Sequence, residues 1–100
     1  MATVDEIRRK NDLFRKSFIG GKVLITQGIK ASPNLEKIIQ AVKEFEDFHP
    51  GNDPHREHDF SKIVVNGEEV FWKIDYYDKN YEFWEEDGHR VLTIMLCSEY

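Results

Sequence analysis

The sequence contains a single cysteine, Cys97, and no apolar run long enough to cross a bilayer. One thiol cannot form an internal disulfide. The longest apolar runs, such as residues 91–97, fall far short of the roughly 20 residues that a membrane-spanning helix needs. The first residues also lack the apolar segment behind a basic start that marks a secretion signal. We therefore expect a soluble protein of the cytoplasm, with no disulfide and no contact with membranes.

The motifs of common enzyme chemistry are missing as well. None of the four serines lies in a nucleophile elbow. Gly20-Gly21 follows a predicted helix instead of preceding one, so it does not form a phosphate-binding loop. Cys97 ends a predicted buried strand, a position that favours a core residue over a nucleophile. The sequence thus favours a protein that is not an enzyme and holds no cofactor.

Positive charge is scarce in the second half of the chain. Residues 1–56 carry ten Lys or Arg and eight Asp or Glu. Residues 57–100 carry four Lys or Arg and eleven Asp or Glu, and the formal net charge of the whole chain is −5. An acidic half repels nucleic acid and attracts basic surfaces. We therefore expect a protein partner with a basic surface and no direct contact with nucleic acid, although acidity also serves solubility alone.

In the first half, apolar residues at spacings of three and four predict two helices around one strand. The first helix begins near Val4, with Thr3 or Asp5 as its cap, and ends before Gly20-Gly21. Its basic residues, Arg15 among them, lie mostly off the apolar stripe and are expected on a solvated face. A strand over residues 22–27 follows. Ser32 as N-cap and Pro33 at the first helical position then predict a second helix, whose apolar stripe extends to Phe48.

The second half reads as strands. Residues 60–65 and 69–77 flank Asn66-Gly67, which is the strongest short signal for a β-hairpin. Residues 90–97 are almost all apolar, which predicts a strand in the middle of the sheet. Residues 81–84 form either a short edge strand or an ordered loop. The fold class is therefore predicted as a single α+β domain, a two-layer sandwich of a three- to four-stranded antiparallel sheet with two helices on one face.

One segment is dense in groups that could bind a metal ion. Asp53, Glu57, His58 and Asp59 lie close together between the two halves, and His55 stands among them. Carboxylates and imidazoles are ligands for zinc and other divalent ions. Their spacing matches no strong metal signature, however. The alternative is a structural loop in which Asp53 caps a turn and the other side chains bond loop backbone.

A second candidate site is acidic and aromatic. Residues 82–87 contain four acids and no base, beside a run of aromatic side chains. Aromatic residues are enriched at the centres of interfaces, and they are also ordinary core residues. The predicted partner-binding residues are Tyr81, Glu82, Trp84, Glu85, Glu86 and Asp87.

Several uncommon blocks occur in order along the chain. They are NDxFR from Asn11, NDPHREHDF over residues 52–60, FWKIDYYD over residues 71–78 and RVLTIML over residues 90–96, before a closing Glu99-Tyr100. In these blocks the chain resembles a family of small bacterial proteins classed as a domain of unknown function. The resemblance implies no activity, and such proteins often occur on plasmids and other mobile elements. The chain differs from the family at His55-Arg56 and over residues 81–88.

Together these observations predict a non-enzymatic interaction protein. Small size, an acidic half and the resemblance to proteins of mobile elements suggest an inhibitor of a bacterial defence complex, of the anti-CRISPR or anti-restriction kind. Its carboxylates would occupy a Lys/Arg surface meant for phosphates on a CRISPR effector or restriction subunit. The alternative is a metal-dependent hydrolase or nuclease that uses Asp53, Glu57, His58 and Asp59. The oligomeric state is left open.

Overall fold

The computed structural model describes residues 2–100 and consists of one four-stranded sheet with helices packed on one of its faces. Within these residues, no helix has the length and apolar character that a bilayer crossing requires. The α+β class is confirmed, although the structure has three α-helices where the sequence predicted two. In chain order the elements are α1 Val4–Ser17, β1 Gly21–Ile25, α2 Gln27–Lys30, α3 Leu35–Glu44, β2 Phe60–Val65, β3 Glu68–Tyr77, β4 His89–Leu96 and a 3₁₀ turn Cys97–Glu99.

The sheet has the strand order β1-β4-β3-β2, and it is mixed. β2, β3 and β4 pair antiparallel, whereas β1 runs parallel to β4 from the pair Gly21 and Arg90 to the pair Ile25 and Ile94. The prediction of a wholly antiparallel sheet is therefore wrong for this one pair. The chain leaves β1 through α2 and α3 and enters β2 in the same direction, because a helical crossover returns the chain to the end of the sheet where it began.

The hairpin between β2 and β3 is confirmed. Asn66 and Gly67 both have positive φ, at 49° and 85°, as a type I′ turn requires. Beyond the turn, the alternation along β3 places Val70, Trp72, Ile74 and Tyr76 in the core, as their period-two spacing predicts. The opposite face of β3 is half-buried and carries charged and aromatic side chains.

The first helix begins where the sequence predicts, whereas the helix expected after Ser32 starts later and ends earlier than predicted. Thr3 caps α1 by accepting a hydrogen bond from the backbone N–H of Glu6 at 3.1 Å, as expected. Ser32, expected to cap the next helix, accepts from the backbone N–H of Asn34 and donates to Glu68, and α3 starts only at Leu35. Phe45 is extended, with ψ 129°, so the helix stops before the end of the apolar stripe.

The central position of β4 is confirmed, with Val91, Leu92, Ile94 and Met95 all buried. This strand ends at Leu96, and Cys97 begins the 3₁₀ turn, where it is half-buried. The expectation that Cys97 lies inside the buried strand is therefore wrong, because the chain turns one residue before it.

Candidate binding site

Residues 78–88 connect β3 to β4 and form what we call the acidic–aromatic loop. The Asp78 carboxylate organises it by accepting hydrogen bonds from the backbone N–H groups of Asn80 and Glu82, both at 3.1 Å. The backbone N–H of Asp78 donates to the carbonyl of Phe83 at 2.8 Å. Because these bonds satisfy polar groups within the loop, residues 78–83 form a defined turn instead of an unpaired strand.

The second half of the loop is bonded to the end of β3. Glu85 donates its N–H to the carbonyl of Tyr76 at 3.3 Å, and Trp84 forms a single antiparallel bridge with Tyr77. Gly88 passes so close to β3 that a Cβ there would lie 2.3 Å from the Tyr77 carbonyl oxygen. No other residue fits this position without moving the backbone. The hydrogen bond of Glu85 and the bridge of Trp84 hold this half of the loop against β3.

Two adjacent aromatic side chains of this loop point into solvent. Phe83 and Trp84 are 70% and 71% exposed, although the backbone that carries them is hydrogen-bonded. Sequence reasoning named Trp84 and missed Phe83, because alternation within a predicted edge strand gives no reason to expose both neighbours. Glu82, Glu85 and Glu86, which are close to this pair in the sequence, are also exposed.

Two of the predicted binding residues contact the rest of the protein and are not fully exposed to solvent. Tyr81 is half-buried, with the Lys22 ammonium 3.8 Å from its ring centroid. Asp87 has a side chain only 15% exposed, and it accepts hydrogen bonds from Lys10 at 2.8 Å and Arg90 at 2.5 Å. Burial acts to raise the pKa of Asp87, but the bonds from Lys10 and Arg90 outweigh it and hold the pKa below its usual range. Asp87 thus attaches the loop to α1 and β4.

The metal candidates in residues 53–59 lie in the loop that connects α3 to β2. Asp53 is buried, and one of its oxygens accepts a hydrogen bond from the backbone N–H of His58 at 3.2 Å. The His58 ring places Nδ1 2.9 Å from Asp12 and Nε2 3.5 Å from the other Asp53 oxygen. The same ring stacks flat on Phe48, with centroids 3.7 Å apart.

Of the other two candidates, Glu57 has a side-chain partner of its own, and Asp59 is half-buried. Glu57 accepts a hydrogen bond from the hydroxyl of Tyr76 at 2.8 Å, and its backbone carbonyl accepts one from Asn11 at 2.9 Å. Burial, followed by the negative charges of Glu57 and Asp53, raises the pKa of Asp59. Across residues 2–100 no three His, Cys, Asp or Glu side chains are arranged to hold a metal ion. His55 is exposed.

A buried polar network that the sequence did not reveal lies beneath both loops. Asn11 is fully buried on α1, donates to the Tyr76 hydroxyl at 2.8 Å and accepts from Arg90 at 2.6 Å. Burial raises the pKa of Tyr76 far above its usual value, which keeps its hydroxyl a donor toward Glu57. Asn11 therefore couples the loop of residues 53–59 to the base of the acidic–aromatic loop.

Arg15 occupies the interior, contrary to the prediction of a solvated basic face. Its side chain is 0% exposed and donates to the carbonyls of Val42 at 2.7 Å and Lys43 at 3.2 Å, in the last turn of α3. Burial lowers the pKa of Arg15, and Asp12, 3.3 Å away, acts in the opposite direction. A cation at a helix C-terminus is favoured by the helix dipole, and this compensates for placing a charge in the core.

A family model described as a protein of unknown function, DUF3768, matches residues 25–99. The chain belongs to this DUF3768 family. The match includes the acidic–aromatic loop and the loop of residues 53–59, while α1, with Asn11, Asp12 and Arg15, precedes it. No curated protein and no solved structure matches the chain.

Proposed function

We propose that this DUF3768 protein is a non-enzymatic binding protein that contacts its partner through the acidic–aromatic loop. The observation that carries the proposal is the pair Phe83 and Trp84, both about 70% exposed on a hydrogen-bonded backbone. Large aromatic side chains at the centre of an interface contribute most of the binding energy when they enter a pocket of the partner. A loop ordered in advance loses little conformational entropy when it binds.

The charge around this pair supports a basic partner surface. The loop holds five acids and one lysine. Of the acids, Asp78 and Asp87 are engaged within the protein, whereas Glu82, Glu85 and Glu86 are exposed. Exposed carboxylates accelerate association with a Lys/Arg surface, and buried aromatic anchors slow dissociation. The loop thus combines exposed carboxylates with exposed aromatic side chains.

The more specific form of the proposal concerns the identity of the partner. A basic surface that accepts carboxylates is also one that accepts phosphates. We propose that the protein inhibits a bacterial defence complex, of the CRISPR or restriction kind, by covering the groove that holds nucleic acid. The support is the acidic loop together with the resemblance to proteins found on mobile elements. The inhibitor itself would act in the cytoplasm and contact no nucleic acid.

The test is a comparison between two double variants used as bait in the native host. Phe83→Ser with Trp84→Ser removes the exposed aromatic pair. Leu13→Ser with Ile19→Ser removes two apolar side chains that are 58% and 78% exposed elsewhere on the surface. Mass spectrometry of captured proteins should show a nucleic-acid-binding subunit with the wild type and the control, and its loss with the first variant. Equal capture by all three baits would contradict the proposal.

The metal-dependent hydrolase or nuclease considered from the sequence has no such observation in its favour. His58 and Asp53 face each other and Glu57 is bonded to Tyr76, but no three such side chains within residues 2–100 are arranged to hold a metal ion. Zinc or manganese retained by the purified protein at a stoichiometric level, and lost on replacing Asp53, would restore that hypothesis.

A further inference from the structure

A pocket of about 320 Å³ lies between α1 and the loop of residues 48–58, on a part of the surface distinct from the acidic–aromatic loop. Its size is at the lower end of the range for small-molecule sites. We infer that this pocket binds a small aromatic anion, meaning a planar ring that carries a carboxylate or phosphate group. The inference is independent of the proposed function.

The walls of the pocket supply the apolar part of this recognition. Phe48, Pro50 and Pro54 line it, and none of these side chains has a polar group that water would need to solvate. The position of the Phe48 ring is fixed because the ring packs edge-on against Phe45 and Trp72. A rigid apolar wall favours a flat, apolar ligand body over a flexible or strongly hydrated one.

The charge of the pocket is positive, in a chain whose formal net charge is −5. Arg8 and Arg56 line it, and the one acid among the lining residues is Asp53. The Asp53 side chain is only 5% exposed, and its two oxygens face the backbone N–H and Nε2 of His58. The carboxylate is therefore turned toward His58. The Arg8 guanidinium is already paired with Asp5 at 2.6 Å, so the guanidinium of Arg56 determines which ligand charge the pocket attracts.

Hydrogen-bond donors remain available for the anionic group. The side chain of Arg56 is exposed and makes no hydrogen bond or ion pair within residues 2–100, since only its backbone is bonded. His49 accepts a hydrogen bond from the backbone N–H of Gly51 at its Nδ1, at 3.1 Å. In the neutral ring the proton is then on Nε2, which is left as a donor. Together a guanidinium and an imidazole N–H suit a carboxylate or a phosphate.

The loop that bears these donors is held in position before any ligand arrives. Arg8 donates to the backbone carbonyl of Arg56 at 3.1 Å, and Asp12 holds His58 at 2.9 Å, both from one face of α1. Arg56 and His58 have φ of 57° and 54°, in the left-handed region that side chains rarely adopt. Such conformations persist only where surrounding contacts impose them, and they concentrate at ligand sites. A preorganised site binds with a smaller entropic cost.

The experiment is a titration of ¹⁵N-labelled protein, monitored by amide chemical shifts. The probes are phenyl phosphate and benzoate, with benzyl alcohol as the uncharged ring and inorganic phosphate as the anion without a ring. We expect both aromatic anions to produce saturable shifts confined to residues 48–58 and to Arg8. Benzyl alcohol and inorganic phosphate should each bind at least about tenfold more weakly, since each lacks one half of the recognition.

A matched pair of charge variants tests the role of the pocket. Arg56→Gln should weaken phenyl phosphate about tenfold. Arg9→Gln removes the same charge from an exposed α1 side chain outside the pocket and should leave binding unchanged. Shifts that do not saturate, shifts spread over the whole protein, or equal losses in the two variants would overturn the inference. If benzyl alcohol bound as tightly as phenyl phosphate, the requirement for an anion would be overturned. If inorganic phosphate bound as tightly, the requirement for a ring would be overturned.

Discussion

Replacing Arg15 by methionine tests whether the buried guanidinium holds α1 onto the end of α3. Methionine keeps an unbranched apolar stem that can still contact Phe48 and Trp72, against which the guanidinium packs at 5.4 and 5.2 Å from the ring centroids. It cannot donate hydrogen bonds. The change therefore removes the polar contribution and leaves much of the packing in place.

The expected loss follows from the bonds that disappear. The Val42 carbonyl loses a donor at 2.7 Å in the core, and Asp12 loses one of its two side-chain partners and keeps His58. Breaking one side of a buried charge pair costs about 3–5 kcal/mol, and the figure is lower where water reaches the remaining partner. Asp12 is 27% exposed. We therefore expect the free energy of unfolding to fall by about 3 kcal/mol, or about 12–24 °C in Tm.

Urea unfolding followed by tryptophan fluorescence measures this change, because Trp72 lies beside Arg15 in the core. Arg9→Met is the control, since Arg9 is exposed on the same helix and should change stability by less than about 0.5 kcal/mol. A loss of under about 1 kcal/mol in Arg15→Met would refute the reasoning. It would show that the α3 carbonyls are satisfied by water and that Arg15 acts through packing alone.

Four further predictions concern the hairpin and the two loops. Gly67→Val should lower the free energy of unfolding by about 1–2 kcal/mol in urea titrations, because φ there is 85° although no neighbouring atom obstructs a side chain. His58→Asn, which tolerates positive φ, should cost about 1–3 kcal/mol through the lost bond to Asp12; an unchanged Tm would contradict a structural role. Asp59→Asn should raise Tm at pH 7 and not at pH 3, because the raised pKa of Asp59 means that its ionisation opposes folding as the pH increases. Glu85→Lys with Glu86→Lys should slow association with a captured partner at low salt and weaken its salt dependence, with unchanged rates counting against an electrostatic role.

The elements that the sequence predicted well are those whose signals are local. Asn66-Gly67 specifies its turn by backbone conformation alone, and the alternation along β3 needs only one buried face. Thr3 caps α1 because its hydroxyl reaches an N–H three residues away. Each of these depends on neighbours in the chain, so no knowledge of the tertiary structure was needed.

The elements that the sequence predicted poorly depend on distant partners. Ser32 looks like a helix cap, but its hydroxyl donates to Glu68 in the hairpin, and the helix starts later. Nothing near β1 indicates that it pairs parallel with β4. Arg15 is adjacent to the apolar stripe of α1, yet its burial depends on the carbonyls at the end of α3. For the same reason the exposure of Phe83 could not be anticipated, because it follows from bonds between the loop and β3.

The central position of β4 has a consequence for how the chain folds. β4 is the last strand in chain order, yet it lies between β1 and β3 and pairs with both. Until it is in place, β1 has no strand beside it, and β3 is paired only with β2. The rate-limiting ordering step should therefore involve contacts between opposite ends of the chain, which slows folding relative to helical domains of this size. It should also make unfolding all-or-none, because withdrawing β4 separates the sheet into pieces that are not stable alone.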